Sequence, residues 1–418
     1  MHSTHASRRP WCTLLTATLA LGGLIGLAGC AAPTAGAVPT FSDWNQVLTA
    51  AKGQTVNLWM YGGDQQGNSY IDNVLAPAAA RDGVTLHRIP VTDTRDALNR
   101  VLTEMQAGRT SDGTVDLVWV NGDNFRTGKE AGAWRCGWTA MVPNMANVSS
   151  TDPLLASDFG TPVDGCEAPW SKAQFSIVYN AAVITSPPTS IEGILQWAKA
   201  HPGRFTYPAP PNFTGSAFIR QVLYSVSGGS QNVPAKYSSG AFEKLSPALY
   251  RTLSDLAPFL WRGGASYPAD SDQLDKLYEN GQIDMTMTYG PATLTKLVAD
   301  GTFPAQTRVM KLSDGTLGNA SFLAIPSDAA HTAGAMVVAN VALSVKQQIA
   351  KANPTTWGQF TVLDLGKLTA AQRQLFAELP QSPVVPPFEV LSHNANPELS
   401  AAWVPALDDG WRTQVPTR

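Results

Sequence analysis

The chain has 418 residues, more than one hydrophobic core ordinarily serves, so two domains are expected. Its composition, 44% hydrophobic with 30 prolines and 35 glycines, is that of a globular, turn-rich protein. A formal net charge of −3 without a basic run excludes nucleic acid as a partner, because phosphate binding needs clustered Lys and Arg.

Residues 1–29 read as a lipoprotein signal peptide. Arg8 and Arg9 precede an uncharged stretch from Thr13 to Leu27, shorter than the about 20 apolar residues a permanent span requires. "LAGC", Leu27 to Cys30, then matches a lipobox at every position. Cys30 is therefore the expected lipid anchor, held by acyl chains on its thioether and amine, and residues 30–41 form a flexible tether. The product is expected to be exported and held on the outer face of the cytoplasmic membrane. Cys136 and Cys166 are the cysteines left in the mature chain. Outside the cytoplasm they are expected to pair as a disulfide, with free buried thiols as the alternative.

In the mature chain, Ser42 opens a helix carrying Trp44, Val47, Leu48 and Ala51 at helical spacing, and Gly53 stops it. "TVNLWMYGG" is a strand ending in a glycine turn, with Trp59 expected in the core. "NSYIDNVLAPAAARDG" is a helix and "VTLHRIPV" a strand. Asp93 caps the next helix, and "TVDLVWVNG" is a third strand. Strand, helix, strand, helix, strand predicts a parallel α/β sheet. A similar grammar returns in "HPGRFTYPAPPNFTGSAFIRQVLYSVSGG", read as strand, loop and a helix opening near Thr214. It returns again in "QLDKLYENGQIDMTMTYGPATLTKLV", read as helix, strand and helix. Two extended runs, "CEAPWSKAQFSIVYNAAVI" and "LGNASFLAIP", join these halves as hinge strands with a cleft between them. The expected organisation is lobe 1 from 42–175 and 320–350, lobe 2 from 176–319, and a helical segment, 351–418, packing on both. Ligands of open α/β sheets bind at the carboxyl ends of the strands.

A lipobox, two α/β lobes and strands ending "YGG", "VNG" and "TYG" resemble an extracellular solute-binding protein of an ABC importer. The segments "NLWMYGGD", "VDLVWVNGDNFR", "TPVDGCEAPWSKAQFSIVYN" and "HPGRFTYPAPPNFTGSAFIRQVLY" are similar to the YnjB-like branch of that class. The resemblance implies a type II periplasmic-binding-protein-like fold. It also implies a monomeric receptor that closes on a small solute and passes it to a membrane permease. For the branch it implies little about the ligand beyond thiamine-like compounds.

The loops at the strand ends supply the candidate binding residues. Tyr61, Gly62, Gly63, Asp64 and Asn68 come from the first strand, with glycines that open the backbone to a ligand. Asn121, Asp123 and Asn124 follow the third strand, where Asp123 or Asn124 also serves as a helix cap. Thr214, Gly215 and Ser216, at a helix start, have the amides and hydroxyls of an anion site, or simply of a Thr cap. Trp170, Tyr207, Phe213 and Tyr289 flank the same loops, and their flat faces suit a planar ring or a cation. The solute classes that follow are a cationic heteroaromatic compound, a polyamine or a phosphorylated small molecule. Asp116 and Asp284, at the opposite strand ends, are expected to be structural. His87, His201, His331 and His393 are isolated, so neither a metal nor a cofactor is expected. The alternative is a secreted hydrolase using a carboxylate pair such as Asp64 with Asp123. The chain has no G-x-S-x-G or H-E-x-x-H motif, and no enzymatic nucleophile is expected.

Overall fold

The computed structural model describes residues 40–415. The expected signal peptide, the lipid anchor at Cys30 and nearly all of the tether lie outside the described residues. Among those described, no helix is long and apolar enough to cross a membrane.

The first sheet grows from the alternation in β1, Thr55–Tyr61, whose Val56, Leu58 and Met60 are buried between half-buried neighbours. Strand β2, Thr85–Val91, pairs parallel with β1 from Thr55↔Thr85 to Tyr61↔Val91, and β3, Leu117–Val120, pairs on the other side at Leu58↔Leu117. Helix Thr94–Gln106 makes the crossover to β3, with Asp93 as its cap and Ala97, Leu98 and Val101 buried. The first helix, Trp44–Ala51, is capped by Asp43, whose side chain accepts from the Gln46 amide, and not by Ser42 as expected.

Two long strands carry the chain between sheets. Strand β4, Glu167–Gln174, leads through Phe175 into β5, Ser176–Asn180. Strands β6, Met285–Thr288, and β7, Thr307–Val309, pair antiparallel with β5 to form the second, three-stranded sheet. The chain then returns as β8, Leu317–Ala324, antiparallel to both β4 and β3. A short strand β9, Asn396–Pro397, adds parallel to the start of β8.

Each sheet has its own core. Around the first lie Val56, Leu58, Phe322, Val338 and Trp357. Around the second lie Phe175, Ile177, Phe218, Leu253, Met285 and Met287, joined by Trp403, Leu407 and Trp411 of the last helix, Trp403–Gln414. The expected strand in "HPGRFTYP" is not part of a sheet. Its segment is extended, but its hydrogen bonds run to loops, as from the Trp261 amide to the Phe205 carbonyl, and Pro208, Pro210 and Pro211 lack ladder donors.

The two aspartates read as structural are committed to backbone and side-chain partners. Asp116 accepts from the amides of Asn57 and His331, each at 2.9 Å, and Asp284 pairs with Arg204. Cys136 and Cys166 form a disulfide across a separation of 30 residues, tying the loop after helix Gly122–Glu130 to the start of β4. In the chain-entropy view this closure is worth about 3–4 kcal/mol. Urea unfolding of the Cys136→Ser/Cys166→Ser protein is expected to show a loss of that order, and an unchanged midpoint would refute it.

Candidate ligand cleft between the lobes

The loop after β1 reaches across to helical segments beside the second sheet. Gly62 packs where a Cβ would lie 2.7 Å from Pro90 Cβ, and at Gly63 a Cβ would collide with the Tyr61 hydroxyl at 2.1 Å. That freedom lets the Tyr61 hydroxyl donate to Asp272 at 3.1 Å, in the first turn of helix Ser271–Glu279. Gln66 crosses as well, its amide donating to the Thr293 carbonyl at 3.1 Å. Asp64 caps helix Gln65–Tyr70, accepting from the Gly67 amide at 2.9 Å and from the Trp357 indole at 2.7 Å. Asn68 donates to the Gly62 carbonyl at 2.7 Å. Among the described residues, the buried Oε1 of Gln66 and Oδ1 of Asn68 have no partner.

Charge collects along this edge. Burial, with neighbouring Asp272 adding, pushes the Tyr61 hydroxyl up, and burial does the same to the Asp64 carboxyl. Asp275 is pushed up to about 7, first by burial and then by the charges of Asp272 and Glu279. Among the described residues none of Asp64, Asp272 and Asp275 forms an ion pair.

Deeper in, the end of β3 leads to helix Gly122–Glu130. Asn121 occupies its cap position without a side-chain bond, and the Gly122 amide donates to both oxygens of buried Asp158 at 2.8 Å. Asp123 and Asn124 are not the cap. Asp123 pairs with Arg126 at 2.6 Å, and Asn124 sits half-buried beside it. Burial lifts Asp158 well above the usual carboxylate range, as it does Glu167, whose two oxygens have no partner.

Phe159 follows Asp158 in a left-handed conformation, φ 43°, and stands between the lobes. Its ring centroid lies 6.2 Å from that of Phe213, which lies 4.9 Å from that of Tyr289. Phe213 is 40% exposed, so this aromatic group is open on one side. Phe159 escaped the sequence reading; the D-F-G run at 158–160, an acid and an aromatic at a glycine turn, was the available signal.

The expected anion site is filled by the chain's own groups. Helix Phe213–Val226 is capped by Asn212, not Thr214, and Asn212 Oδ1 accepts from the amides of Thr214 at 3.0 Å and Gly215 at 3.2 Å. The Thr214 hydroxyl accepts from Ser271, and buried Ser216 donates to Asp408 at 2.6 Å. Gly215 is there for clearance, since a Cβ would lie 1.9 Å from the Pro208 carbonyl oxygen. Arg220, one turn on from Ser216 and 1% exposed, is gripped by Glu398 at 3.0 and 3.3 Å.

Two expected wall residues are corrected. Trp170 is fully buried in the first core against Trp119 and Trp357, and Tyr207 is fully buried in the second, accepting from the Trp411 indole at 3.0 Å. Both rings are packing surface, each closed off by other aromatic side chains.

Residues 73–365 match the model of a family described as bacterial extracellular solute-binding protein. The protein YnjB of Escherichia coli strain K12 is 37% identical over 371 residues, 88% of this chain and 93% of that protein. The chain belongs to the bacterial extracellular solute-binding proteins. Solved structures agree on the type II periplasmic-binding fold at low identity. The substrate-binding protein PotD of a Streptococcus pneumoniae spermidine/putrescine ABC transporter superposes with a TM-score of 0.61 at 12% identity, covering 86% of this chain and 98% of that one. Iron-bound HitA from Pseudomonas aeruginosa gives 0.57 at 16%, covering 85% and 98%. In this solute-binding protein the loop after β1 meets the helical segments beside the second sheet through Tyr61–Asp272 and Gln66–Thr293.

Asp275, bonded to Thr286 of the second sheet, makes the stability of the fold pH-sensitive. Its folded-state value lies above the ordinary 3.8, so its contribution to stability is fully present below 3.8 and is lost as pH rises through about 7. Asp408, pushed up to about 6 by burial, acts in the same sense. A thermal-unfolding series is expected to show Asp275→Asn, which mimics the protonated acid, with a flatter decline across that window than the parent protein. Parallel declines would refute the assignment.

Proposed function

We propose that this solute-binding protein is the capture component of an ABC importer for a small organic cation, with a cationic heteroaromatic compound first and a polyamine second. The observation that carries the reading is the charge of the cleft. Asp64 and Asp272 gather around Tyr61, and Asp158 precedes Phe159 of the aromatic group with Phe213 and Tyr289, while buried Arg220 is already neutralised by Glu398. An aromatic face with nearby carboxylates attracts a cation by its quadrupole and by Coulomb energy, most strongly where water is excluded. A phosphorylated solute fits poorly, because Asn212 and Asp408 hold the groups that would receive it.

In this reading Tyr61, Gly62, Gly63, Asp64, Asn68 and Asn121 line one wall, with Phe213 and Tyr289 opposite. Lobe 1, from 42–175 and 320–350, and lobe 2, from 176–319, close by bending at Phe175 and in the 310–316 segment. A solute that touches both lobes only when they are closed shifts the population toward that state. The permease then recognises the closed form, and the lipid on Cys30 keeps the monomeric receptor beside it.

The direct test is calorimetry on residues 31–418 with thiamine, spermidine and glycerol phosphate as probes. One of the two cations is expected to bind and the phosphate is not; binding of the phosphate alone would overturn the reading. Phe213→Ala, at a partly exposed position, is expected to weaken the cation roughly tenfold, the scale of a partly desolvated cation–aromatic contact, without unfolding the protein.

The raised carboxyls add a second signature. A bound cation favours the ionised form of Asp64 and Asp158, which burial holds above the ordinary carboxylate range, so binding is expected to release protons and to tighten as pH rises above that range. Titrations in two buffers of different ionisation enthalpy measure that release, and zero release would count against the acids as ligands.

A further inference from the structure

We infer that Glu398 sets the charge selectivity of the cleft: its carboxylate, carried in by the C-terminal segment, is a built-in counter-ion that withholds Arg220 from anionic solutes. The inference rests on reading the interlobe cleft as the solute site.

Arg220 has the features of an anion receptor. It projects from the helix that starts at Phe213, it is almost fully buried, and its guanidinium lies 5.4 Å from the centroid of Phe159 of the facing lobe. A planar guanidinium fork matches a carboxylate or phosphate in two-point fashion. Here that fork is taken. Nε and Nη2 donate to the two oxygens of Glu398, Nη1 donates to the Ser216 hydroxyl at 3.1 Å, and Nη2 also reaches the Tyr289 hydroxyl at 3.4 Å.

Glu398 is itself held from three directions. The Tyr289 hydroxyl donates to it, and the Asn319 amide of β8 reaches it at 3.5 Å. The segment around it is pinned to both lobes: the Tyr224 hydroxyl donates to the Pro397 carbonyl at 2.8 Å, and the Ala401 amide donates to the Phe159 carbonyl at 2.9 Å. An incoming anion would have to expel a carboxylate that the fold has already positioned, so it gains nothing over the intramolecular partner.

Replacing the carboxylate by its amide isostere removes the counter-ion and little else, and leaves a buried cation in want of a partner. Inorganic phosphate is the probe, compared with chloride at equal ionic strength. The unfolding midpoint of the parent protein is expected to ignore phosphate. That of Glu398→Gln is expected to be lower in chloride and to rise saturably with phosphate, and Arg220→Gln/Glu398→Gln is expected to lose that rise. A phosphate response in Glu398→Gln no larger than in the double variant overturns the inference. So does a parent response that Arg220→Gln abolishes. If Glu398→Gln does not fold in chloride, its refolding yield in phosphate is the same readout: recovery that the double variant does not share supports the inference, and no recovery overturns it. A parent protein that binds no organic cation while Glu398→Gln gains phosphate supports the role of Glu398 and sinks the cation reading alone.

Discussion

Strand β8 is the constraint on which the rest of this structure depends. Every residue from Leu317 to Ala324 is buried, so its backbone donors and acceptors have to find partners within the protein. They do so by pairing with β4 along nearly the whole length, with β3 at the far end and with β9 at the start. The same strand enters directly from the second lobe and carries Asn319 to the cleft. Pairing that strongly at one end leaves the bending to the few residues on either side of it, which is what a hinge between two cores requires.

Desolvation governs the buried carboxyls near these strands. Asp158 and Glu167 are taken from water with few hydrogen bonds in return, and burial is the first cause of their raised values. Arg220 is compensated inside the chain by Glu398. Arg220 thus has its charge satisfied within the chain, while Asp158 and Glu167 are carboxyls whose ionised form burial disfavours. The aromatic group of Phe159, Phe213 and Tyr289 supplies the apolar surface beside those acids, and the open flank of Phe213 is the side from which a solute reaches it.

Much of the architecture was legible in the chain because it rests on local rules. The alternation in "TVNLWMY", the caps and glycine stops of the helices and the repeated strand–glycine–helix grammar placed β1, β2, β3 and β6 near where they stand. The glycines of "YGG" marked a loop of close approach, although the approach is to Pro90 and the Tyr61 hydroxyl. Cap identity was less legible: Asp43 and Asn212 took positions read as Ser42 and Thr214, since neighbouring small polar residues compete for the same amides.

By itself, then, the sequence determined the fold class, narrowed any disulfide to one pair of cysteines and marked the strand-end loops, because periodicity, turn chemistry and cysteine count act over short range. Which side chains those loops present was decided only by tertiary structure. Trp170 and Tyr207 look like binding aromatics in isolation, and distant neighbours, Trp357 in one case and Trp411 in the other, turn them into core. Phe159 becomes part of the cleft because Gly122 and Phe213 stand on either side of it. Glu398 meets Arg220 across 178 residues, a pairing that no local pattern encodes.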